Sequence, residues 1–266
     1  MVNMNKLDST KRAQVVRCLA EGNSIRSTVR KTGVAKNTVA KLLCELGPAC
    51  AEYHDKNVRG VRVRRLQCDE IWSFIGAKAK NVSTEKKQDG WGDAYTWTAI
   101  DADTKLCLSY FVGGRDAGCA YEFMQDCADR IKGRVQVTTD GHRAYLEAVE
   151  GAFGMDVDYA QLQKIYGAPT DAEQRRYSPA KCIGADMKVV SGNPDPKHVS
   201  TSYVERQNLS MRMSIRRFTR LTNAFSKKVE NHAAAVTIWF MYYNFCRVHQ
   251  TLRVDFGILV WPTCGS

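Results

Sequence analysis

The chain has 266 residues, 44% hydrophobic and 25% charged, an ordinary globular balance that excludes a disordered or collagen-like polymer and suits one large domain or two unequal ones. Its longest apolar run, Ala233–Phe245, is broken by Thr237 and Asn244 and falls short of the roughly 18 residues of a membrane span. The polar opening Met1–Arg12 lacks a secretory pattern, so the expectation is a cytoplasmic protein that does not use a membrane. Net charge is +11, unevenly spread: residues 1–66 carry +9, residues 67–205 carry −5 and residues 206–266 carry +7. Basic ends suit a polyanion, and an acidic middle keeps carboxylates for cations. The ten cysteines contain no CxxC pair and several sit among apolar residues, which reads as reduced thiols, not a zinc module or a disulfide framework.

In chain order, Ser9–Ala20 presents Val15, Val16 and Leu19 on one helical face after the Ser9/Thr10 cap signals. Ser24–Lys31 follows, Gly33 turns the chain, and Ala35–Leu46 presents Val39, Leu42, Leu43 and Leu46 before Gly47-Pro48, which reads as a stop. Two helices across a glycine turn, with a third before them, predict an all-α helix-turn-helix domain over 1–47. Lys36, Asn37, Thr38 and Lys41 would face outward, able to reach base edges or phosphates. Residues 48–64 read as a basic linker ending in Arg59–Arg65.

Strand patterns then alternate with helices. Arg65–Ile75, Ala94–Ile100 and Leu106–Val112 read as strands, with a polar Lys78–Asp93 loop and an Asp101–Lys105 turn between them. Ala117–Ile131 reads as a helix, Arg134–Thr138 as a strand, Arg143–Val149 as a helix and Met155–Tyr159 as a strand. The expected architecture is α/β, a mixed five-stranded sheet with flanking helices. Residues 161–200 lack periodicity and hold four prolines, predicting a loop insertion. Long helical patterns resume from Ser202 and over Lys227–Arg247.

Asp69 lies inside an apolar strand, Asp140 at the end of another before Gly141, and Glu205 on a helix. A carboxylate among apolar neighbours is costly unless paired or metal-bound. Two strand-borne Asp residues and one helix-borne Glu are able to hold two Mg²⁺ or Mn²⁺ ions against a phosphodiester. Glu70, next to Asp69, should point to the opposite face and be structural; Asp101 and Asp103 read as turn formers and Trp72 as core. His142 and His249 remain candidate contacts. Arg206, Arg212, Arg216, Arg217 and Arg220 form an acid-free series suited to phosphates.

The strings Cys68-Asp-Glu-Ile-Trp-Ser-Phe74, Thr139-Asp-Gly-His-Arg-Ala-Tyr145, Tyr203-Val-Glu-Arg-Gln-Asn208 and Tyr242-Tyr-Asn-Phe-Cys-Arg-Val-His249 resemble the motif blocks of bacterial insertion-sequence transposases, the insertion sequence 1 family or a close relative. The resemblance runs over about residues 7–253. It implies an RNase H-like catalytic domain over 65–253, with Asp69, Asp140 and Glu205 as the metal-binding catalytic triad and Arg212 at a basic position. It further implies double-stranded DNA as partner (element ends and target), a homo-oligomer in the synaptic complex and a place at the bacterial nucleoid. Residues 254–266 form an atypical tail, and the zinc finger of some members is not among these motifs. Three readings follow: a transposase, a helix-turn-helix regulator or inactive transposase-derived protein, and an RNase H-like nuclease without strand transfer.

Overall fold

The computed structural model describes residues 7–167, 182–219 and 223–247; the expectations for Arg220, His249 and the tail fall outside them. The chain divides into two compact units, 1–58 with 72–95 and 207–266, and 59–71 with 96–206.

In the first unit, α1 (Ser9–Ala20), α2 (Ile25–Thr32) and α3 (Lys36–Asn57) pack around Val15, Val39 and Leu42, apolar positions that the 3.6 period picks out, and around Val34 from the turn before α3. Asp8, not Ser9 or Thr10, caps α1 by accepting from the Lys11 N–H, whereas Ser24 caps α2. Gly33 closes α2 in the left-handed conformation, φ 71°, where a Cβ would be strained. Ala35 stands at the N-cap of α3 without a side-chain bond.

Gly47-Pro48 does not end α3, which runs on to Asn57, so the first part of the expected linker is helical. A proline inside a helix costs about 3 kcal/mol, and tertiary packing offsets it. Ala20, Leu43, Ala234 and Ile238 form one buried cluster joining α1 and α3 to the long C-terminal helix, Val229–Phe245. Beyond the proline Tyr53 meets Phe245 edge-on at 5.2 Å. Gly47 serves that packing: a Cβ there would stand 2.7 Å from the Ala234 Cβ. The polar loop after residue 78 holds a short helix, α4 (Thr84–Gln88). Trp72 is half-buried, not core; it lies 5.7 Å from Phe74 with the Lys78 ammonium over its ring.

The second unit is built on a mixed sheet of β1 (Arg65–Ile75), β2 (Gly92–Asp101), β3 (Cys107–Gly113), β4 (Val135–Thr139), β5 (Val157–Tyr166) and β6 (Cys182–Ser191), in the order β3-β2-β1-β4-β5-β6. β1 and β2 contribute residues to both units. β1/β4 and β4/β5 run parallel, β5/β6 antiparallel. α5 (Ala117–Arg130) and α6 (Ala144–Phe153) pack together, and Trp97, Phe123 and Tyr145 are fully buried. The sheet has six strands where five were expected, and the 161–200 loop reading is corrected: 161–166 extend β5 and 182–191 form β6. All ten β6 residues are exposed, so the strand has no buried face to impose an alternating pattern. Asp101 behaves as the turn former expected, accepting from the Asp103 and Thr104 N–H groups and from Thr104 Oγ1. α7 (Ser202–Ser214) contributes residues to both units, the second up to Arg206, and precedes the C-terminal helix of the first, here α8.

Candidate active site

The last paired rung of β1 and β4 is Gln67↔Thr138. Asp69 and Asp140 each lie two residues further on, and because the strands are parallel, equal offsets bring both to the same level. Past that rung β1 continues while β4 ends at Thr139, so the two carboxylates flank the place where the ladder opens. Asp69, Glu70 and Asp140 each offer an oxygen within 4.8 Å of the others.

Glu70 therefore joins Asp69 instead of opposing it. β1 is buried on both faces before this pair, at Leu66, Gln67 and Cys68, and alternates only after it, at Ile71, Ser73 and Ile75, so a two-residue period does not assign faces here. Two methylenes then let the Glu70 carboxylate reach the cluster. It is held there by Arg115 Nε at 2.6 Å and the Tyr145 hydroxyl at 3.1 Å. Arg115 also stands 3.9 Å from Asp140, whose other oxygen accepts from the His142 N–H at 2.9 Å. The His142 ring packs against Trp97 and Tyr145, with ring centres 6.0 Å away in each case.

Glu205 is placed by β1 as well. Gln67 Oε1 accepts from the Tyr203 and Val204 N–H groups at 2.8 and 3.2 Å, fastening the first turn of α7 to the strand two residues before Asp69. Glu205 sits in that turn, where the helix dipole favours an acid. Its carboxylate accepts from Thr201 Oγ1 at 2.7 Å and pairs with Lys164 of β5. The close cluster is thus Asp69, Glu70 and Asp140, with Glu205 beside it and engaged by a lysine.

These charges act on one another. Burial, then the neighbouring charges of Glu70 and Asp140, with a smaller share from Glu205, push Asp69 up to about 7 against the pull of the Glu70 N–H. Glu70 is raised by burial and by Asp140, with Arg115 opposing. Burial works against the Lys164 ammonium, but its bond to Glu205 and that charge win and leave it above its ordinary value. Gathered hard oxygen donors that raise one another's pKa are of a kind that could hold a divalent cation such as Mg²⁺ or Mn²⁺.

Of the expected nucleic-acid contacts, Lys36, Asn37, Thr38 and Lys41 are exposed on the first turns of α3, and Lys41 is 3.7 Å from Glu45. Arg206 and Arg212 lie on α7, which ends at Ser214, so Arg216 and Arg217 stand on a following 3₁₀ turn and not on the same helical face. Arg217 is half-buried and donates to Ser226 Oγ at 2.8 Å. Sequence reading missed Arg115, Tyr145, Lys164 and Gln67; only Tyr145 lay inside a recognisable string. No family model matches the chain, and no match to it is found among curated proteins. Among the described residues no helix is long and apolar enough to cross a membrane.

Proposed function

We propose that the chain is a DNA transposase of the insertion-sequence type, with an RNase H-like catalytic unit whose Asp69, Asp140 and Glu205 hold two Mg²⁺ or Mn²⁺ ions. The observation that carries this reading is the equal offset of Asp69 and Asp140 past the last β1–β4 rung, with Asp69 held up to about 7. The order and content of the four sequence strings support it further. When bound, the divalent ions would neutralise charge on the phosphodiester and lower the pKa of the attacking water or 3′-hydroxyl. The chain's own residues do the rest. Glu70, braced by Arg115 and Tyr145, adds negative charge beside the two Asp ligands, and Arg115 keeps that excess from repelling a phosphate. Lys164 pairs with Glu205 beside the cluster, and Glu205 would join Asp69 and Asp140 in holding the ions.

In this reading α1–α3 form a helix-turn-helix domain that binds the terminal repeats, with Lys36, Asn37, Thr38 and Lys41 toward the major groove. Arg206, Arg212 and Arg216 contact phosphates of element ends or target. The reaction is in-line displacement at phosphorus, first by water and then by the freed 3′-hydroxyl, with two protomers acting together at the bacterial nucleoid. Purified protein incubated with labelled element ends and Mg²⁺ or Mn²⁺ should nick the ends and join them to target DNA. Nicking without joining would make it a nuclease. Specific binding without cleavage would leave a helix-turn-helix regulator, and a covalent protein–DNA adduct would overturn the mechanism.

A further inference from the structure

Strand β6 is an edge of the sheet among the described residues, and every one of its ten residues is exposed. An exposed edge this long is a template for another strand, and proteins ordinarily blunt such edges. Here apolar residues stand on it: Met187 is 38% and Val189 50% exposed. The register with β5 is regular from Gly184 to Val189, pairing Leu162 with Met187 and Lys164 with Ala185. Ala185, Met187 and Val189 therefore share one face, and Gly184, Asp186 and Lys188 share the other.

We infer that β6 is a homodimer interface, pairing antiparallel with β6 of a second copy about a two-fold axis through Met187. The sequence around that centre is complementary to itself. Asp186 then faces the partner's Lys188, and Lys188 faces the partner's Asp186, giving two ion pairs on one face. On the other face Met187 meets the partner's Met187, flanked by Ala185 against the partner's Val189 and the reverse. Directly opposed side chains in such a ladder have Cβ atoms about 4.5–5.5 Å apart, close enough for both kinds of contact. Moving the axis to Asp186 or Lys188 would set like charges face to face, and a half-step would oppose charge to Met187. Only the Met187 register satisfies both faces, and an isologous contact of this kind closes as a dimer. The six-stranded sheet becomes continuous across two copies, which fixes the two carboxylate clusters in a two-fold relation. The inference stands on the strand itself and does not need the transposase reading.

Sedimentation velocity on the full chain at micromolar concentration, without DNA, tests it. The wild-type chain should be a dimer. Asp186→Lys and Lys188→Asp, each an exposed substitution, should separately weaken the dimer roughly tenfold or more by opposing like charges. Asp186→Lys/Lys188→Asp together should restore it, and mixing the two single variants should give a heterodimer. In a separate arm, mild oxidation of Met187→Cys should yield a disulfide between the two copies of position 187, identified by peptide mapping. A monomeric wild type, single variants that dimerise undiminished, or a double variant no tighter than the singles would each overturn the proposal.

Discussion

His232 and the carboxylate cluster both draw titratable side chains away from solvent, and they resolve the cost in opposite ways. In the first unit His232, fully buried on α8, lies between Ser73 and Ser226, with Oγ atoms 3.2 Å from Nε2 and Nδ1. Ser73 gives its proton to the Ala94 carbonyl and Arg217 donates to Ser226. The consistent assignment is a neutral ring donating from Nε2 and accepting at Nδ1. Burial, reinforced by Arg217, pushes its pKa down to about 3. In the second unit Asp69, Glu70 and Asp140 are gathered with their like charges only partly relieved by Arg115. A buried ionisable group is thus not by itself a sign of chemistry. His232 has a partner for each ring nitrogen and serves the fold, whereas the three carboxylates lie close together and raise one another's pKa, the arrangement that the proposed reading assigns to a cation.

The sharpest break in that comparison is in activity. On the proposed reading, Asp69→Asn or Asp140→Asn removes a metal ligand whose charge stabilisation is worth several kcal/mol, so metal-dependent cleavage of labelled DNA ends should fall about a thousandfold or more. Thermal melting should show both variants still folded. His232→Ala should do the reverse. The lost ring leaves a cavity and two serines without their partner, costing about 2–4 kcal/mol in urea unfolding. At temperatures where it remains folded, this variant should cleave at a rate close to wild type. A His232→Ala chain as stable as wild type would remove the structural half of the contrast.

The pH dependence of stability in the absence of divalent ions gives a smaller effect. The folded Asp69 pKa, about 7, lies above the unfolded value, so the folded chain holds the extra proton and stability falls as pH rises from about 4 to 7. His232 is depressed to about 3, so the unfolded chain holds the extra proton and stability rises from about pH 3 to 6.5. The two slopes oppose each other between about pH 4 and 6.5. Asp69→Asn should expose the rising slope and gain roughly 1–3 kcal/mol above pH 7, allowing for partial solvent screening. Parallel urea profiles for Asp69→Asn and wild type would show that Asp69 is not held up.

What the sequence disclosed follows the same division. Asp69 and Asp140, which the structure brings together, were legible because a charged residue in or at the end of an apolar strand has few structural excuses; Glu205 was singled out by its string and lies outside the close cluster, paired with Lys164. The core positions of α1–α3 were legible from helical spacing. Pro48 misled because the compensation comes from Ala234 and Phe245, nearly 190 residues away. β6 was invisible because an exposed edge needs no alternation. Glu70 was misassigned because period two presumes one buried face, and β1 is buried on both faces just before that pair. Arg115 and Lys164 carry no local signal at all; only the fold brings them to the carboxylates.

The smallest effect concerns what ties the site to the sheet. Gln67 is buried, and its Oε1 accepts from two N–H groups at the start of α7, satisfying donors that no intrahelical carbonyl can reach. It is the satisfied kind of buried polar group, like His232, yet it stands two residues before Asp69 and is bonded to Tyr203, two residues before Glu205. Gln67→Leu keeps the volume and removes the acceptor, so stability should drop by about 1–2 kcal/mol, the usual range for a lost helix cap. Gln67→Glu keeps an acceptor and adds a charge that the helix N-terminus favours, so it should recover most of that loss. The comparison of the two variants reads the hydrogen bond apart from packing. If Gln67→Leu is as stable as wild type while Gln67→Glu is weaker, the α7 start does not depend on Gln67. Holding of Glu205 would then fall to Thr201 and Lys164 alone.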